Sequence, residues 1–171
     1  QGYENPSALK VTGGTVIGTP GTRTNPASGV LTDPTYGAVM AFAEPNGNYF
    51  DAPAASGSWT GLDLGTAQRI MKIEYMPRQS YGSRMVGGVF QGSNSATFAS
   101  GVTSLLTVTF SPADNGLVFT SADIGNTGTY RYVRYLGPAN ADCNGAGSRC
   151  YTGDGTGATA GGDDVIVDDA A

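Results

Sequence analysis

The chain has 171 residues, a net charge of −5 and only 13% charged residues, and it contains no His. The absence of imidazole excludes Ser-His-Asp and Cys-His catalysis and zinc sites that need His. Nine scattered basic residues are too few for nucleic-acid binding, and no apolar stretch approaches the ~18 residues of a membrane span. One extracellular β-domain is expected.

Short apolar runs bounded by Gly, Pro, Asn or Asp follow one another along the chain. They predict strands at 15–17, 62–75, 86–92, 105–110, 117–120 and 130–136. The run at 62–75 is split at Gly65, and its alternation is imperfect because Ile70 shares parity with charged residues. No segment has convincing helical spacing. The predicted fold class is therefore all-β, a jelly-roll β-sandwich of about eight main strands with little or no helix.

Three segments between the predicted strands are unusually long, at 18–37, 44–58 and 137–162. Loops of a sandwich gather at its ends and carry function. The third segment contains Cys143 and Cys150, which enclose six residues rich in Gly. This spacing predicts a small-loop disulfide formed in an oxidising compartment, with two free thiols as the alternative and a two-Cys metal site less favoured.

Four segments carry a family resemblance: 58–65 (SWTGLDLG), 73–78 (IEYMPR), 84–94 (RMVGGVFQGSN) and 130–136 (YRYVRYL). In order and spacing they resemble the central strands of discoidin-type domains, the coagulation-factor C-type sandwiches that include family 32 carbohydrate-binding modules. The resemblance covers residues 12–144. It divides the chain into an N-terminal extension at 1–11, the sandwich at 12–144, and a Gly/Asp-rich C-terminal segment at 145–171 with the disulfide loop.

The resemblance implies a secreted, non-catalytic module whose end loops bind glycans, often of the galactose type. A tyrosine ring offers such ligands an apolar face and a hydrogen-bonding tip, and an arginine offers a planar pair of donors. The candidate glycan-binding residues in predicted loops are Tyr36, Arg78, Tyr81, Arg84 and Tyr151. The alternative for the loop arginines is a structural pairing with Asp51, Asp63 or Glu74.

Three further residues are given structural roles. Trp59, the only Trp, opens a strand, so burial in the core is favoured over stacking on a sugar. Arg131 and Arg134 lie on the last central strand, where a structural role is favoured over ligand binding.

The resemblance also suggests a structural calcium ion. Where the family commonly carries Asp-Gly-Asn before its aromatic strand, this chain has Ala43 in place of the Asp and Pro45 in place of the Asn. The oxygen donors that remain for a Ca²⁺ site, besides backbone carbonyls, are Glu44, Asn46 and Asn48.

The closing strand of the family is altered as well. After Asn144 the only apolar run is 165–167, between the acidic pairs 163–164 and 168–169. If this run does not return to the sheet, an open edge would invite a strand from another chain. The second hypothesis is therefore a structural subunit of an extracellular filament or sheath, assembled by strand or tail exchange. A third, a small glycosidase or lyase, has no support in the carboxylate spacing, and no catalytic residue is predicted.

Overall fold

A computed structural model describes residues 9–11, 13–19, 38–42, 57–77, 85–110, 119–138 and 163–169. Within these ranges the chain forms eight strands and one short 3₁₀ helix, which confirms the predicted all-β class. The strands are β1 (Leu9–Val11), β2 (Thr15–Gly18), β3 (Trp59–Met76), β4 (Val89–Ser93), β5 (Thr103–Thr107), β6 (Phe119–Thr120), β7 (Thr129–Leu136) and β8 (Asp163–Asp169), and the helix spans Ala38–Phe42. None of the described helical residues forms a helix long and apolar enough to cross a membrane.

The long strand β3 belongs to two antiparallel sheets. Its first half pairs with β2 and β7, and β7 continues through β4 to β5 to complete the first sheet. Its second half pairs with β8 and β6, and β8 pairs with β1 in the second sheet. Buried side chains from both halves of β3, among them Leu62 and Ile73, join one core cluster with Phe90 and Tyr135. The architecture is a sandwich in which one strand is shared.

A bulge interrupts the first half of β3, within its pairing with β7. Asp63 pairs with Tyr132 and Gln68 with Tyr130, so residues 64–67 lie opposite Arg131 alone. Gly65 has a φ of 79°, a left-handed conformation that favours glycine, and its N–H donates to Asp63 Oδ1 at 2.8 Å. The interruption at Gly65 therefore marks a bulge within one strand.

A second irregularity explains the imperfect alternation that the sequence shows after the bulge. The register of β3 against β8 shifts between Ile70 and Lys72. Ile70, Ile73 and Tyr75 are all buried, while Lys72 is exposed. The shift thus allows Ile70 to face the core although it shares parity with charged residues.

The strand β8 closes the second sheet. It pairs with β3 on one side and with β1 on the other, so that Val167 lies opposite both Ile73 and Val11. The segments assigned from the sequence to the N-terminal extension and the C-terminal tail therefore contribute strands to the sandwich. The assembly hypothesis assumes that one strand position of the sheet is open. That position is filled by β8 of the same chain. Self-assembly therefore stays a prediction, without support from an open edge at this position.

The tight packing of β3 against β7 predicts the effect of adding one methyl group. A Cβ at Gly61 would overlap the carbonyl oxygen of Val133 and lie 2.9 Å from the Cβ of Arg134, whereas a Cβ at Gly13 would meet nothing within 4 Å. We expect Gly61→Ala to lower the free energy of unfolding by about 1–3 kcal/mol in chemical denaturation. The matched Gly13→Ala variant should change it by less than about 0.5 kcal/mol. Equal stability of the two variants would contradict the packing.

Candidate functional site

The segment 20–37, which contains Tyr36, begins and ends at one end of the sandwich. At its start, Thr19 N–H donates to the carbonyl oxygen of Trp59 at 2.9 Å, and Thr19 Oγ1 accepts from Trp59 N–H at 3.2 Å. At its finish, the carbonyl oxygen of Ala38 accepts a bond from Thr60 Oγ1 at 3.1 Å. Both flanks are therefore tied to the first residues of β3. We call this the loop end.

The segment 139–162, which contains Tyr151, has its flanks at the same place. Gly137 N–H, just after β7, donates to the carbonyl oxygen of Ser58 at 3.1 Å, immediately before β3. On the other side, Asp163 opens β8 opposite Met76, the last residue of β3. Because β3 turns from the first sheet into the second, its first and last residues both lie at the loop end.

Ring contacts in the core place the last residues of β3 at this end. The ring centroid of Tyr75 lies 5.1 Å from that of Phe90, and Phe90 lies opposite Tyr135, which in turn lies opposite Thr60. The second half of β3 therefore finishes across the core from the start of its first half.

The segment 78–84, which carries three of the candidate residues, also joins two fixed points. Pro77 and Met85 are fully buried. The carbonyl oxygen of Met85 accepts from Gly88 N–H at 2.8 Å and from the hydroxyl of Tyr135 at 3.4 Å. All three segments with candidate glycan-binding residues thus begin and end at the loop end.

The sequence-predicted site residues themselves fall outside the described residues. This holds for Tyr36, Arg78, Tyr81, Arg84 and Tyr151, for the calcium donors Glu44, Asn46 and Asn48, and for Cys143 and Cys150. Their roles and the disulfide stay predictions. The structure brings together the residues that flank the segments with the glycan-binding candidates. These flanking residues are distant in sequence and become neighbours only through the strand register.

Trp59 and Arg134 form a cluster with Phe98 on the outer face of the first sheet. The guanidinium carbon of Arg134 lies 4.2 Å from the ring centroid of Phe98 and 5.3 Å from that of Trp59, and its Nε donates to Gln91 Oε1 at 2.8 Å. Burial lowers the pKa of Arg134, which still stays charged at neutral pH. Trp59 is half-buried in this cluster rather than part of the core. The contacts give Arg134 the structural role that the sequence favours.

Arg131 holds Asp63 beside the bulge. Its Nε and Nη2 donate to the two carboxylate oxygens of Asp63 at 2.8 and 2.9 Å, a bidentate pair. The hydrogen bonds from Arg131 and from the N–H of Gly65 lower the pKa of Asp63. The structural role expected for Arg131 is confirmed. Asp63 already has an arginine partner, which leaves it poorly placed to anchor Arg78 or Arg84.

Among the described residues, a small cavity lies in the core, with room for about one water molecule. Its lining is mostly apolar and includes Leu62, Ile70, Phe90 and Val133. This space is too small for a sugar ligand. No three His, Cys, Asp or Glu side chains come together in the part of the chain that the structure describes.

No protein-family model and no curated protein matches the chain, but solved structures do. The CBM62 module of Clostridium thermocellum Xyl5A is 31% identical, with a TM-score of 0.70, over 95% of this chain and 99% of that one. An f-lectin from striped bass (Morone saxatilis) serum has a TM-score of 0.65 at 12% identity, over 97% of this chain and 48% of that one.

A Clostridium perfringens family 32 module, solved in complex with GalNAc-β-1,3-galactose, has a TM-score of 0.57 at 14% identity, over 90% of this chain and 93% of that one. This module and the f-lectin are similar in fold alone. Together the three structures confirm the discoidin-like β-sandwich predicted from the sequence.

The ion pair beside the bulge gives a pH-dependent prediction. Because the pKa of Asp63 is depressed in the folded protein, its contribution to stability is present above the ordinary value of 3.8 and is lost as pH falls through the folded pKa. We expect Arg131→Gln to raise the pKa of Asp63 toward 3.8 in an NMR titration and to weaken this acid dependence. Arg69→Gln, which removes an exposed arginine bonded to the carbonyl of Asn126, is the control and should leave the titration unchanged.

Proposed function

Because the chain belongs to carbohydrate-binding module family 62, we propose that it is a non-catalytic module that binds glycans at the loop end. The family assignment rests on 31% identity to the CBM62 module of Clostridium thermocellum Xyl5A over nearly the full length of both chains. The position of the site rests on one observation. The segments 20–37, 78–84 and 139–162 start and finish beside the first and last residues of β3.

Structures with this fold bind several kinds of sugar. One neighbour was solved with GalNAc-β-1,3-galactose, another with chitotriose, and a third with an unsaturated mannuronic acid. All three ligands present pyranose rings with both hydroxyl groups and apolar C–H faces. A site that takes such a ring needs planar donors and an aromatic surface.

The proposed site supplies both kinds of group. Arg78 and Arg84 bracket a short segment with Tyr81 between them, so two guanidinium groups flank one phenol ring in sequence. We assign hydrogen bonds to sugar hydroxyls to the arginines, and stacking on the sugar ring to Tyr81, Tyr36 and Tyr151. Galactose-type sugars are the first class to test, since the discoidin-type family often binds them.

The proposed setting is extracellular. Low charge and a predicted Cys143–Cys150 disulfide support it, because disulfides persist in oxidising compartments. The f-lectin neighbour comes from serum. Titration of free thiols in the unfolded, unreduced protein tests the disulfide.

The binding proposal predicts which substitutions remove affinity. In isothermal titration calorimetry we expect the wild-type chain to bind galactose or GalNAc-β-1,3-galactose. Arg78→Ala and Tyr81→Ala should each weaken binding at least about tenfold, because each removes a direct contact worth ~1.4 kcal/mol or more. The matched control is Arg69→Ala, an exposed arginine next to the bulge and away from the loop end, which should bind as the wild type does.

Circular dichroism of each variant separates lost contacts from lost folding. If a folded wild-type chain binds no sugar on a broad glycan array, the proposal is wrong. If Arg69→Ala weakens binding as much as Arg78→Ala does, glycans bind elsewhere on the sandwich.

We also propose that a calcium ion is held by Glu44, Asn46 and Asn48 together with backbone carbonyls, a set of oxygen donors that suits Ca²⁺. Removal of calcium with EDTA is then expected to lower the melting temperature, and added calcium should restore it, since a ligand that binds the folded state stabilises it. Glu44→Gln should remove this difference. A melting temperature that is the same with EDTA and with calcium would count against the site.

A further inference from the structure

Two large apolar side chains are exposed among the residues that the structure describes. Val102 and Phe110 have 38% and 51% of their surface accessible. A single exposed apolar residue is common on proteins, so exposure alone indicates no function. The two residues differ in position, however. Val102 comes just before β5, at the end of the sheet opposite the loop end, whereas Phe110 follows β5 at the loop end.

The backbone just before Phe110 is hydrogen-bonded to residues that follow the segment 78–84. Two residues before it, the carbonyl oxygen of Val108 accepts a hydrogen bond from Gly87 N–H at 2.7 Å, and Val108 N–H donates to the carbonyl oxygen of Gly88 at 2.9 Å. Gly87 and Gly88 come shortly after the segment ends. The chain that carries Phe110 therefore leaves β5 beside the point where this segment rejoins the fold.

The ring of Phe110 contacts a ring that lies beside the residues preceding the same segment. Its centroid lies 5.4 Å from that of Phe119, and Phe119 lies opposite Tyr75 in the register of β3 and β6. Tyr75 comes shortly before the segment 78–84 begins. Phe110 is thus connected to both flanks of the segment that carries Arg78, Tyr81 and Arg84.

The ring of Phe119, which contacts Phe110, belongs to a row of aromatic rings that extends into the core. The centroid of Phe119 lies 5.0 Å from that of Tyr75, Tyr75 lies 5.1 Å from Phe90, and Phe90 lies 4.9 Å from Tyr135. Tyr75, Phe90 and Tyr135 are buried in the core. A ring supported in this way loses little freedom when a ligand stacks on it, which lowers the entropic cost of binding.

The geometry of the outermost contact leaves part of Phe110 accessible. The rings of Phe110 and Phe119 meet at 68°, edge to face rather than stacked, and about half of the Phe110 surface stays exposed. An exposed aromatic face suits the apolar C–H face of a pyranose, as it does other flat apolar surfaces. Phe110 has no polar group of its own, so it can add affinity without selecting particular hydroxyls.

We propose that Phe110 is the stacking platform for the second sugar unit of an oligosaccharide whose first unit is held by the segment 78–84. The inference rests on the proposed function and extends it, because it assigns an oligosaccharide rather than a single sugar as the ligand. The polar groups of the segment fix the first unit, and the adjacent apolar ring receives the next.

The test compares sugars of different length on the full chain by isothermal titration calorimetry. The probe pairs are galactose with GalNAc-β-1,3-galactose, and glucosamine with chitotriose. Phe110→Ala is expected to weaken binding of the longer sugar roughly tenfold and to leave the affinity for the single sugar unchanged. Phe110→Tyr keeps an aromatic face and should retain wild-type affinity. Val102→Ala, the matched control, should bind both sugars as the wild type does.

Each outcome bears on the inference separately from the proposed function. If the wild-type chain binds these sugars and Phe110→Ala binds the longer ones equally well, the inference is overturned while the proposed function stands. Equal losses for single and longer sugars also overturn it, because Phe110 would then act on the first unit. If a folded wild-type chain binds none of the probes, the proposed function fails on them and the inference fails with it.

Discussion

The pairing of β3 with different partners along its two halves is the constraint on which the rest of the structure depends. Up to Arg69 this strand pairs with β7, and over its first residues also with β2, whereas from Ile70 onward it pairs with β8 and β6. A strand of 18 residues can serve both sheets only if it turns between them, and the bulge at 64–67 lies shortly before the change of partner at Ile70. Gly65 and the Asp63–Arg131 pair stabilise the bulge. Without the turn between the sheets, the first and last residues of β3 would lie far apart.

The shared strand also explains why the ligand site is proposed at the loops rather than on the sheets. Antiparallel neighbours leave and enter the two sheets beside the ends of β3, so stretches distant in sequence start from adjacent points. The cavity in the core admits little more than a water molecule, and the rings of Tyr75, Phe90 and Tyr135 pack against one another in that core. The same three rings connect the rigid core to Phe110 at the surface. Core packing and the proposed binding surface are therefore parts of one aromatic row.

Local patterns in the sequence predicted the strands around Ile73 and Val133 and the interruption at Gly65, because alternation and glycine act over a few residues. They did not predict that Gly65 lies inside a continuous strand, since a bulge depends on the partner strand. The positions of Phe98 and Phe110 could not be predicted either. Phe98 adopts a φ of 53°, which is unusual for a bulky residue, and its packing beside Arg134 accompanies that conformation. For Phe110, adjacency to the segment 78–84 arises only from register.

The closing strand β8 bears on self-association, since a strand of this kind can pair within its own chain or with a neighbouring chain. The register places Val167 opposite Ile73 and Val11, and Asp168 opposite Lys72 and Lys10. By position in the register, apolar residues are paired with apolar ones and an acidic residue with basic ones, a pattern that a shift by one residue would break. The same complementarity would exist in an exchanged dimer. Covalent connection favours pairing within the chain over exchange between chains. It holds β8 close to its own sheet, at an effective concentration that a strand from another chain in dilute solution does not reach. Assembly by strand exchange would thus require a further gain that the closed chain cannot obtain.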